Sequence, residues 1–169
     1  ELYLKRLVVG GIDRVFEINR SFRNEGISTE HNPEFTMLEF YMAYADYTDM
    51  MALVEALLVE VADGVLGTRT LTWNEREVDL APPWRRLPLK DALKEAGMSD
   101  ADLETEASAR TWAGRKGIDV SHHHGYGKVL NKIMETAVEP MLIQPTFLVD
   151  YPRDISPLAK PREDDPETA

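Results

Sequence analysis

The sequence predicts an α+β fold in which an antiparallel β-sheet is flanked by helices. The apolar residues change from a period of 3.6 to a period of two near Arg14, and a run of turn-forming residues over 24–32 separates two stretches of that shorter period. Helical spacing returns after Thr48. A chain of 169 residues can bury one hydrophobic core, so a single domain over 1–169 is expected.

Composition excludes several classes of protein. The chain has 19 basic and 30 acidic side chains and a net charge of −11, so capture of nucleic acid by a basic surface is not expected of it. It has no cysteine, which rules out disulfides and thiolate metal sites. No apolar run approaches the length of a membrane span, so a membrane role is not expected.

The two ends of the sequence favour a segment of a longer polypeptide. The first residue is Glu1 and there is neither an initiating methionine nor a signal peptide. Residues 161–169 are rich in Pro, Glu and Asp and are predicted to be a disordered tail.

A helix and two strands are predicted in the first third of the chain. Residues 1–9 have helical spacing, and the following Gly10-Gly11 pair suits a helix end that needs positive φ. A strand is expected over 14–23 and a second over about 34–44, paired antiparallel around the loop. One face of the first strand is mostly polar, so the opposite face is expected to supply the core.

The remainder alternates between helices and short strands. Thr48 is a plausible N-cap for a helix that runs to the glycines at 64 and 67, and a hairpin is expected over 70–80 with its turn near 74–76. Residues 84–126 hold two charged, weakly apolar helical patterns and are interpreted as a peripheral insertion. A helix over 127–141, a buried strand over 146–149 and a further strand over 155–160 complete the prediction.

Three side chains predict a pocket for a charged small molecule. Antiparallel pairing would bring Arg23, Glu39 and Tyr41 to one concave surface. An arginine at a strand end can bind a carboxylate or a phosphate through two parallel hydrogen bonds. A carboxylate in an otherwise apolar strand is costly unless it meets donors or a cation, and a substrate ammonium is one candidate.

Purely structural roles remain open for these side chains. Arg23 would form a surface salt bridge with Glu25 or Glu34, and Phe35, which is also suited to stack on a purine, would be a core residue. Glu39 would then pair with a basic side chain of the chain itself: Arg20, Arg14 or Lys5.

A metal site at the histidine run His122-His123-His124 is not favoured. Adjacent side chains of an extended segment point to opposite sides, and no fourth ligand follows at a metal-binding spacing.

The residues around the predicted pocket carry a family resemblance. Phe22-Arg23-Asn24-Glu25, the stretch from His31 to Glu39 and the sequel from Tyr41 to Tyr47 resemble the second signature motif of class II aminoacyl-tRNA synthetases, in the form used by lysyl-tRNA synthetases. Residues 1–11, 142–147 and 155–160 match the same family in order, and 84–126 match least. The resemblance implies that the chain is a partial class II catalytic core.

The resemblance implies activation of lysine by ATP, followed by transfer of the lysyl group to tRNA(Lys). It places Arg23 between the lysine carboxylate and the ATP α-phosphate. The other implied site residues are Glu25, His31 and Asn32 by the adenine and the polyphosphate, Phe35 stacked on the adenine, Glu1 near the lysine amino group, and Glu39 and Tyr41 lining the lysine pocket.

The resemblance also implies Mg²⁺ as cofactor, a homodimer and a cytoplasmic location. The family's acidic magnesium ligands and its third motif would follow the segment matched by 155–160, so no metal ligand is expected within this sequence. The dimer-forming motif and the anticodon-binding barrel would precede it. The chain alone is therefore expected to be inactive or nearly so.

Three related functions stay open. A paralogue that attaches lysine-like groups to a translation factor would lack the upstream anticodon barrel, and a lysyl transferase acting on membrane lipids would carry upstream transmembrane helices. A regulatory or scaffolding descendant would keep the fold without catalysis.

Overall fold

The computed structural model describes residues 1–24, 26–28, 31–156 and 158–169. The chain forms two compact units, Glu1–Leu53 and Val54–Ala169, where one core was expected.

Helices and strands alternate along the chain, which confirms the α+β class. The helices are α1 (Leu2–Val9), α2 (Tyr47–Val65), α3 (Leu89–Glu95), α4 (Glu106–Arg115) and α5 (Tyr126–Ile133). The strands are β1 (Arg14–Phe22), β2 (Glu34–Met42), β3 (Thr70–Trp73), β4 (Arg76–Asp79), β5 (Arg85–Pro88) and β6 (Thr146–Val149). A π-helical turn (Met134–Val138) and a 3₁₀ turn (Glu139–Met141) extend α5, and a second 3₁₀ turn covers Arg153–Ile155.

Local residues determine where α1 ends and where α2 begins. Helix α1 stops at Gly10, and Gly11 has φ +99°, a left-handed conformation that favours glycine. The predicted N-cap Thr48 is wrong, because α2 begins one residue earlier. Asp46 caps it instead: its Oδ1 accepts from the backbone N–H groups of Thr48 at 2.8 Å and of Asp49 at 3.3 Å.

The first unit contains the antiparallel hairpin β1–β2. Its register pairs Arg14 with Met42 at one end and Phe22 with Glu34 at the other. Burial alternates along β1, since every second side chain is half-buried and the side chains between them are exposed. The hairpin therefore has two distinct faces, as the period-two pattern predicted.

The apolar face of this hairpin is open, which corrects the expectation that it supplies the core. Phe16 is 71%, Ile18 66% and Phe22 72% exposed. The half-buried face is the polar one, because α1 covers it: Lys5 of α1 lies over the ring of Tyr41. We name the half-buried face the inner face and the opposite one the outer face.

The second unit contains two further two-stranded sheets. Strands β3 and β4 form the predicted antiparallel hairpin, with positive φ at Asn74 and Glu75 in its turn. Strands β5 and β6 pair in parallel, from Arg85↔Thr146 to Pro88↔Val149, which was not predicted. The long connection that parallel strands require runs through α3, α4 and α5. The strand predicted over 155–160 is wrong, since a 3₁₀ turn ends at Ile155.

The core of the second unit lies largely in the segment interpreted as peripheral. Leu93, Ala109 and Ala113 are fully buried, and Trp112 is 3% exposed. The alanines leave room for the helices to approach closely, so a segment with few large apolar residues still packs a core. Whether 84–126 is an insertion relative to the family stays a prediction. The cluster comprises Leu87, Leu89, Ala92, Leu93, Met98, Ala109, Trp112, Ala113, Ile118, Val120, Val129, Leu130, Ile133, Met134 and Val138.

Glycine at the start of α5 permits a close approach of two segments. A Cβ added to Gly127 would lie 2.8 Å from the Cβ of Asp154 and 3.1 Å from Cγ2 of Ile155. Both distances are below ordinary van der Waals contact, so the 3₁₀ turn packs directly on the helix at this point.

Residues 161–169, which were predicted to be a disordered tail, fold back on residues 150–153. Thr168 pairs with Pro152 in an isolated β-bridge and is 6% exposed. Arg162 contacts Asp150 and Asp164, each at 2.7 Å. These contacts join the tail to residues 150–152.

Candidate functional site

The candidate site is built on the inner face of the β1–β2 hairpin. Alternation along the strands places eight half-buried side chains there. In register they are Val15 opposite Tyr41, Glu17 opposite Glu39, Asn19 opposite Met37, and Ser21 opposite Phe35. A surface that combines carboxylates, amides and aromatic rings on a rigid hairpin is suited to binding a polar ligand.

Glu39 and Tyr41 are linked on this face, as the sequence predicted. The Tyr41 hydroxyl donates a hydrogen bond of 3.0 Å to Glu39 Oε1. Burial, and then the hydrogen bond and charge of Glu39, raise the pKa of Tyr41 above its ordinary value. Tyr41 is therefore a neutral donor at neutral pH, and it orients the carboxylate of Glu39.

The first turn of α1 lies at the same end of the inner face. The backbone nitrogen of Glu1 is 3.7 Å from Glu39 Oε2, and Lys5 Nζ is 2.5 Å from Glu1 Oε1. Lys5 lowers the pKa of the Glu1 carboxyl, mainly through their hydrogen bond, and Glu1 raises the pKa of Lys5 in return. The predicted site residues Glu1, Glu39 and Tyr41 are thus brought together.

The alternative ion pairs proposed for Glu39 are not formed among the described residues. Arg14 and Arg20 occupy even-numbered positions of β1, which face away from Glu39. Lys5 pairs with Glu1 instead. The contact that Glu39 does make on this face is the hydrogen bond from the Tyr41 hydroxyl.

Arg23 follows the last residue of β1, at the other end of the inner face. Its backbone N–H donates to the carbonyl of Pro33 at 2.9 Å, which closes the hairpin beyond the ladder. Its guanidinium carbon is 5.5 Å from the centre of the Phe35 ring. Glu34 pairs with Arg20 at 3.1 Å rather than with Arg23. The structure therefore joins Arg23 to Phe35.

The loop between the strands holds the remaining predicted site residues. The backbone N–H of His31 donates to Ser28 Oγ at 3.0 Å, and the Ser28 hydroxyl is 3.1 Å from His31 Nδ1. Asn32 is exposed and lies two residues before the start of β2. Glu25 lies outside the described residues, so its predicted place near a nucleotide stays a prediction.

The two ends of the inner face differ in charge. Arg23 follows Glu17, the partner of Glu39, by six residues, and its positive charge, after that of Lys5, contributes to lowering the pKa of the Glu1 carboxyl. One end presents a guanidinium and the other a carboxylate and a phenol. This distribution of charge suits a ligand, or two adjacent ligands, with anionic groups towards Arg23 and an ammonium towards Glu39.

Sequence reasoning missed three residues of this face. Asn19 Nδ2 donates to Glu17 Oε1 at 2.9 Å, and the Ser21 hydroxyl donates to Asn19 Oδ1 at 3.1 Å. The polar residues at alternate positions of β1 were assigned to one face, but no role was given to them. The signal that could have found them is the hairpin register, which places Glu17 opposite Glu39 and Asn19 and Ser21 next to Glu17 on the same face.

The histidine run lies in the second unit. Arg110 donates to the backbone carbonyls of Val120 and His123 and so supports this loop. His123 Nδ1 is buried and has no hydrogen-bond partner. Among the described residues, no group of three or more His, Cys, Asp or Glu side chains is arranged so that it could hold a metal ion. Within the residues that the structure describes, no helix is both long enough and apolar enough to cross a membrane.

Comparison with known proteins identifies relatives along the whole chain. The chain is 54% identical to a lysine–tRNA ligase of Pelotomaculum thermopropionicum, over 99% of this chain and 34% of the relative. It is 50% identical to a lysine–tRNA ligase of Carboxydothermus hydrogenoformans, with the same coverage, and 52% identical to one of Listeria monocytogenes, over 98% of this chain and 33% of the relative. The chain therefore spans about a third of the length of these relatives.

A family model shows the same relationship at the level of the fold. The model of class II tRNA synthetases (D, K and N) matches residues 1–169. This match agrees with the α+β architecture and with the motif around Arg23, both of which were predicted from the sequence. The chain belongs to the family of class II tRNA synthetases (D, K and N).

Proposed function

We propose that this segment supplies the amino-acid pocket and part of the ATP site of a lysine–tRNA ligase. The observation that carries the proposal is the placement of Arg23 at one end of the inner face and of Glu39 and Tyr41 at the other. The names of the relatives, which match nearly the whole chain, favour lysine as the amino acid.

The first step of the proposed reaction is attack of a lysine carboxylate oxygen on the α-phosphorus of ATP. A new P–O bond forms, the bond to the β,γ-diphosphate breaks, and lysyl-adenylate and pyrophosphate result. Negative charge increases on the α-phosphate oxygens during the attack. A guanidinium bound to both the carboxylate and the α-phosphate would stabilise that charge and hold the two reactants in register, which is the role proposed for Arg23.

The carboxylate end of the inner face is proposed to recognise the ammonium groups of lysine. Glu39 is oriented by the Tyr41 hydroxyl on the half-buried inner face. Glu1, which is proposed to lie near the lysine α-amino group, is held in its charged form by Lys5. A neutral phenol next to two carboxylates provides both donor and acceptor groups for an ammonium and the water around it.

The nucleotide is proposed to lie at the loop end of the hairpin. Phe35 would stack on the adenine ring, with His31, Asn32 and Glu25 near the adenine and the polyphosphate. The contact between the Arg23 guanidinium and the Phe35 ring supports this arrangement, because it places the group proposed for the α-phosphate beside the ring proposed for the base.

The remaining components belong to the whole enzyme. Mg²⁺ would neutralise charge on the ATP phosphates, and we propose that its ligands lie in parts of the polypeptide beyond this segment. The transfer of the lysyl group to a terminal hydroxyl of tRNA(Lys), the homodimer and the cytoplasmic location are likewise proposals for the full-length protein.

An ATP–pyrophosphate exchange assay tests the proposed function. The full-length protein is expected to exchange label only when lysine is supplied among the twenty amino acids. The 169-residue chain is expected to show no lysine-dependent exchange, because it spans about a third of its relatives. Exchange driven equally well by another amino acid in the full-length protein would contradict the lysine assignment, and robust exchange by the short chain would show that the other two thirds are dispensable for activation.

A further inference from the structure

A lysine of α1 reaches the inner face of the hairpin. Lys5 Nζ donates to Glu1 Oε1 at 2.5 Å and lies 5.8 Å from the centre of the Tyr41 ring. Leu4, which is 6% exposed, anchors the same turn of the helix, and the backbone N–H of Lys5 donates to the Glu1 carbonyl at 3.1 Å. The first turn of α1 therefore holds the Lys5 ammonium beside a carboxylate and an aromatic ring.

The charges around Lys5 keep it protonated. Its hydrogen bond to Glu1 is the main cause that raises the pKa of Lys5 above its ordinary value, and the negative charges of Glu1 and Glu39 act in the same direction. Lys5 is in turn the main cause of the lowered pKa of the Glu1 carboxyl. At neutral pH the two side chains are therefore a fixed cation and a fixed anion at this end of the inner face.

Lys5 engages only one oxygen of its partner. Among the described residues, Glu1 Oε2 accepts no hydrogen bond from a side chain, and the Glu1 side chain is 66% exposed. A carboxylate with one oxygen already held can still accept hydrogen bonds at the other. Glu1 is thus oriented by Lys5 and remains open to a second ammonium.

We infer that Lys5 is a positioning residue for the amino acid. It holds the Glu1 carboxylate in the orientation in which Oε2 can accept the lysine α-ammonium, and it acts on the substrate only through Glu1. The inference rests on the proposed function and adds to it the group that orients Glu1. An exposed ion pair within one helix contributes little to stability, so a purely structural Lys5 would leave lysine recognition unchanged.

The test is Lys5→Met in the full-length enzyme, measured by ATP–pyrophosphate exchange. The substitution keeps an unbranched side chain and removes the ammonium. We expect KM for lysine to rise about 5- to 10-fold, which is less than the direct loss of a hydrogen bond to a charged group, because the α-ammonium still meets Glu1. KM for ATP should be unchanged and kcat should change less than about threefold. Lys5→Arg keeps the charge and should keep KM for lysine within about threefold of wild type.

A Glu1→Gln background separates positioning from a general effect. Glu1→Gln should itself raise KM for lysine, and adding Lys5→Met should raise it no further, because Lys5 then has no carboxylate to orient. Equal rises caused by Lys5→Met in the wild-type and Glu1→Gln backgrounds would overturn the inference. A lysine KM within about twofold of wild type in folded Lys5→Met or in Glu1→Gln would overturn it as well.

Arg6→Met is the matched control, since it removes a positive charge from the next position of α1, where the guanidinium carbon lies 5.9 Å from the centre of the Tyr3 ring. It should leave both KM values at those of the wild type. A rise in the lysine KM equal to that of Lys5→Met would contradict a specific role for Lys5. If Lys5→Met does not fold, as judged by circular dichroism, Lys5→Gln replaces it, and an unchanged lysine KM in that variant overturns the inference.

The wild-type enzyme separates the two levels of this test. Lysine-dependent exchange by wild type together with an unaffected Lys5→Met variant removes the role of Lys5 and leaves the proposed function standing. A wild-type enzyme without lysine-dependent exchange would overturn the proposed function and the inference together.

Discussion

Arg23→Ala in the full-length enzyme is expected to lower the rate of lysyl-adenylate formation by about two to three orders of magnitude, which corresponds to about 3–4 kcal/mol of transition-state stabilisation. The reason is the loss of the guanidinium at the point where charge increases on the α-phosphate. Single-turnover formation of lysyl-adenylate, followed by quenched flow, measures this step apart from product release. The melting temperature should stay close to that of the wild type, because Arg23 lies beyond the last residue of β1 and is exposed.

Arg20→Ala is the matched control for this variant. Arg20 is an arginine of the same strand, but it faces the outer side and pairs with the exposed Glu34. Its removal should leave adenylate formation within about threefold of wild type, since exposed ion pairs contribute little. A large loss of rate in both variants, or a loss of thermal stability without a loss of rate in Arg23→Ala, would instead support a purely structural role for Arg23.

Leu130→Ala is expected to destabilise the second unit by about 2–5 kcal/mol. Leu130 is fully buried on α5, in the cluster that also holds Leu93 and Trp112, and its truncation leaves a cavity that close-packed neighbours fill only in part. Urea unfolding of the 169-residue chain, followed by tryptophan fluorescence, measures the effect. All three tryptophans, at positions 73, 84 and 112, belong to the second unit, so the signal reports on that unit.

Leu158→Ala supplies the comparison for the core variant. It is the same change of side chain in the same unit, at a leucine that is completely exposed. Its unfolding midpoint should match that of the wild type within the error of the measurement. Equal midpoints for Leu130→Ala and Leu158→Ala would show that residues 84–138 do not form the core described here.

The hairpin that carries the site was predictable because its signals are local. A change of period at Arg14, a glycine-containing loop and a second period-two run are enough to define two paired strands and to assign Arg23, Glu39 and Tyr41 to one face. Glu17 and Asn19 followed the same alternation. Their position opposite and beside Glu39 was missed, because it depends on the register of two strands, which a single strand does not contain.

How the helices and strands pack together was less predictable from the sequence than where they lie along it. The outer face of the hairpin is apolar, and apolarity predicts burial, yet Phe16 and Ile18 are exposed in this segment, which spans about a third of the length of its relatives. The many charged residues of α3 and α4 give these helices a weak apolar pattern in the sequence, although small side chains such as Ala109 are buried in the core. The parallel pairing of β5 and β6 joins segments far apart in the chain, and no local pattern encodes it.

The central claim is that the inner face of the β1–β2 hairpin binds an aminoacyl-adenylate with its phosphate towards Arg23 and its ammonium towards Glu39 and Tyr41. A crystal structure of the full-length enzyme with a non-hydrolysable sulfamoyl analogue of lysyl-adenylate tests it most directly. We predict the sulfamoyl group within hydrogen-bond distance of the Arg23 guanidinium, and the side-chain ammonium within about 4 Å of the Glu39 carboxylate. An analogue bound on the outer face, or bound with its ammonium away from Glu39, would contradict the claim.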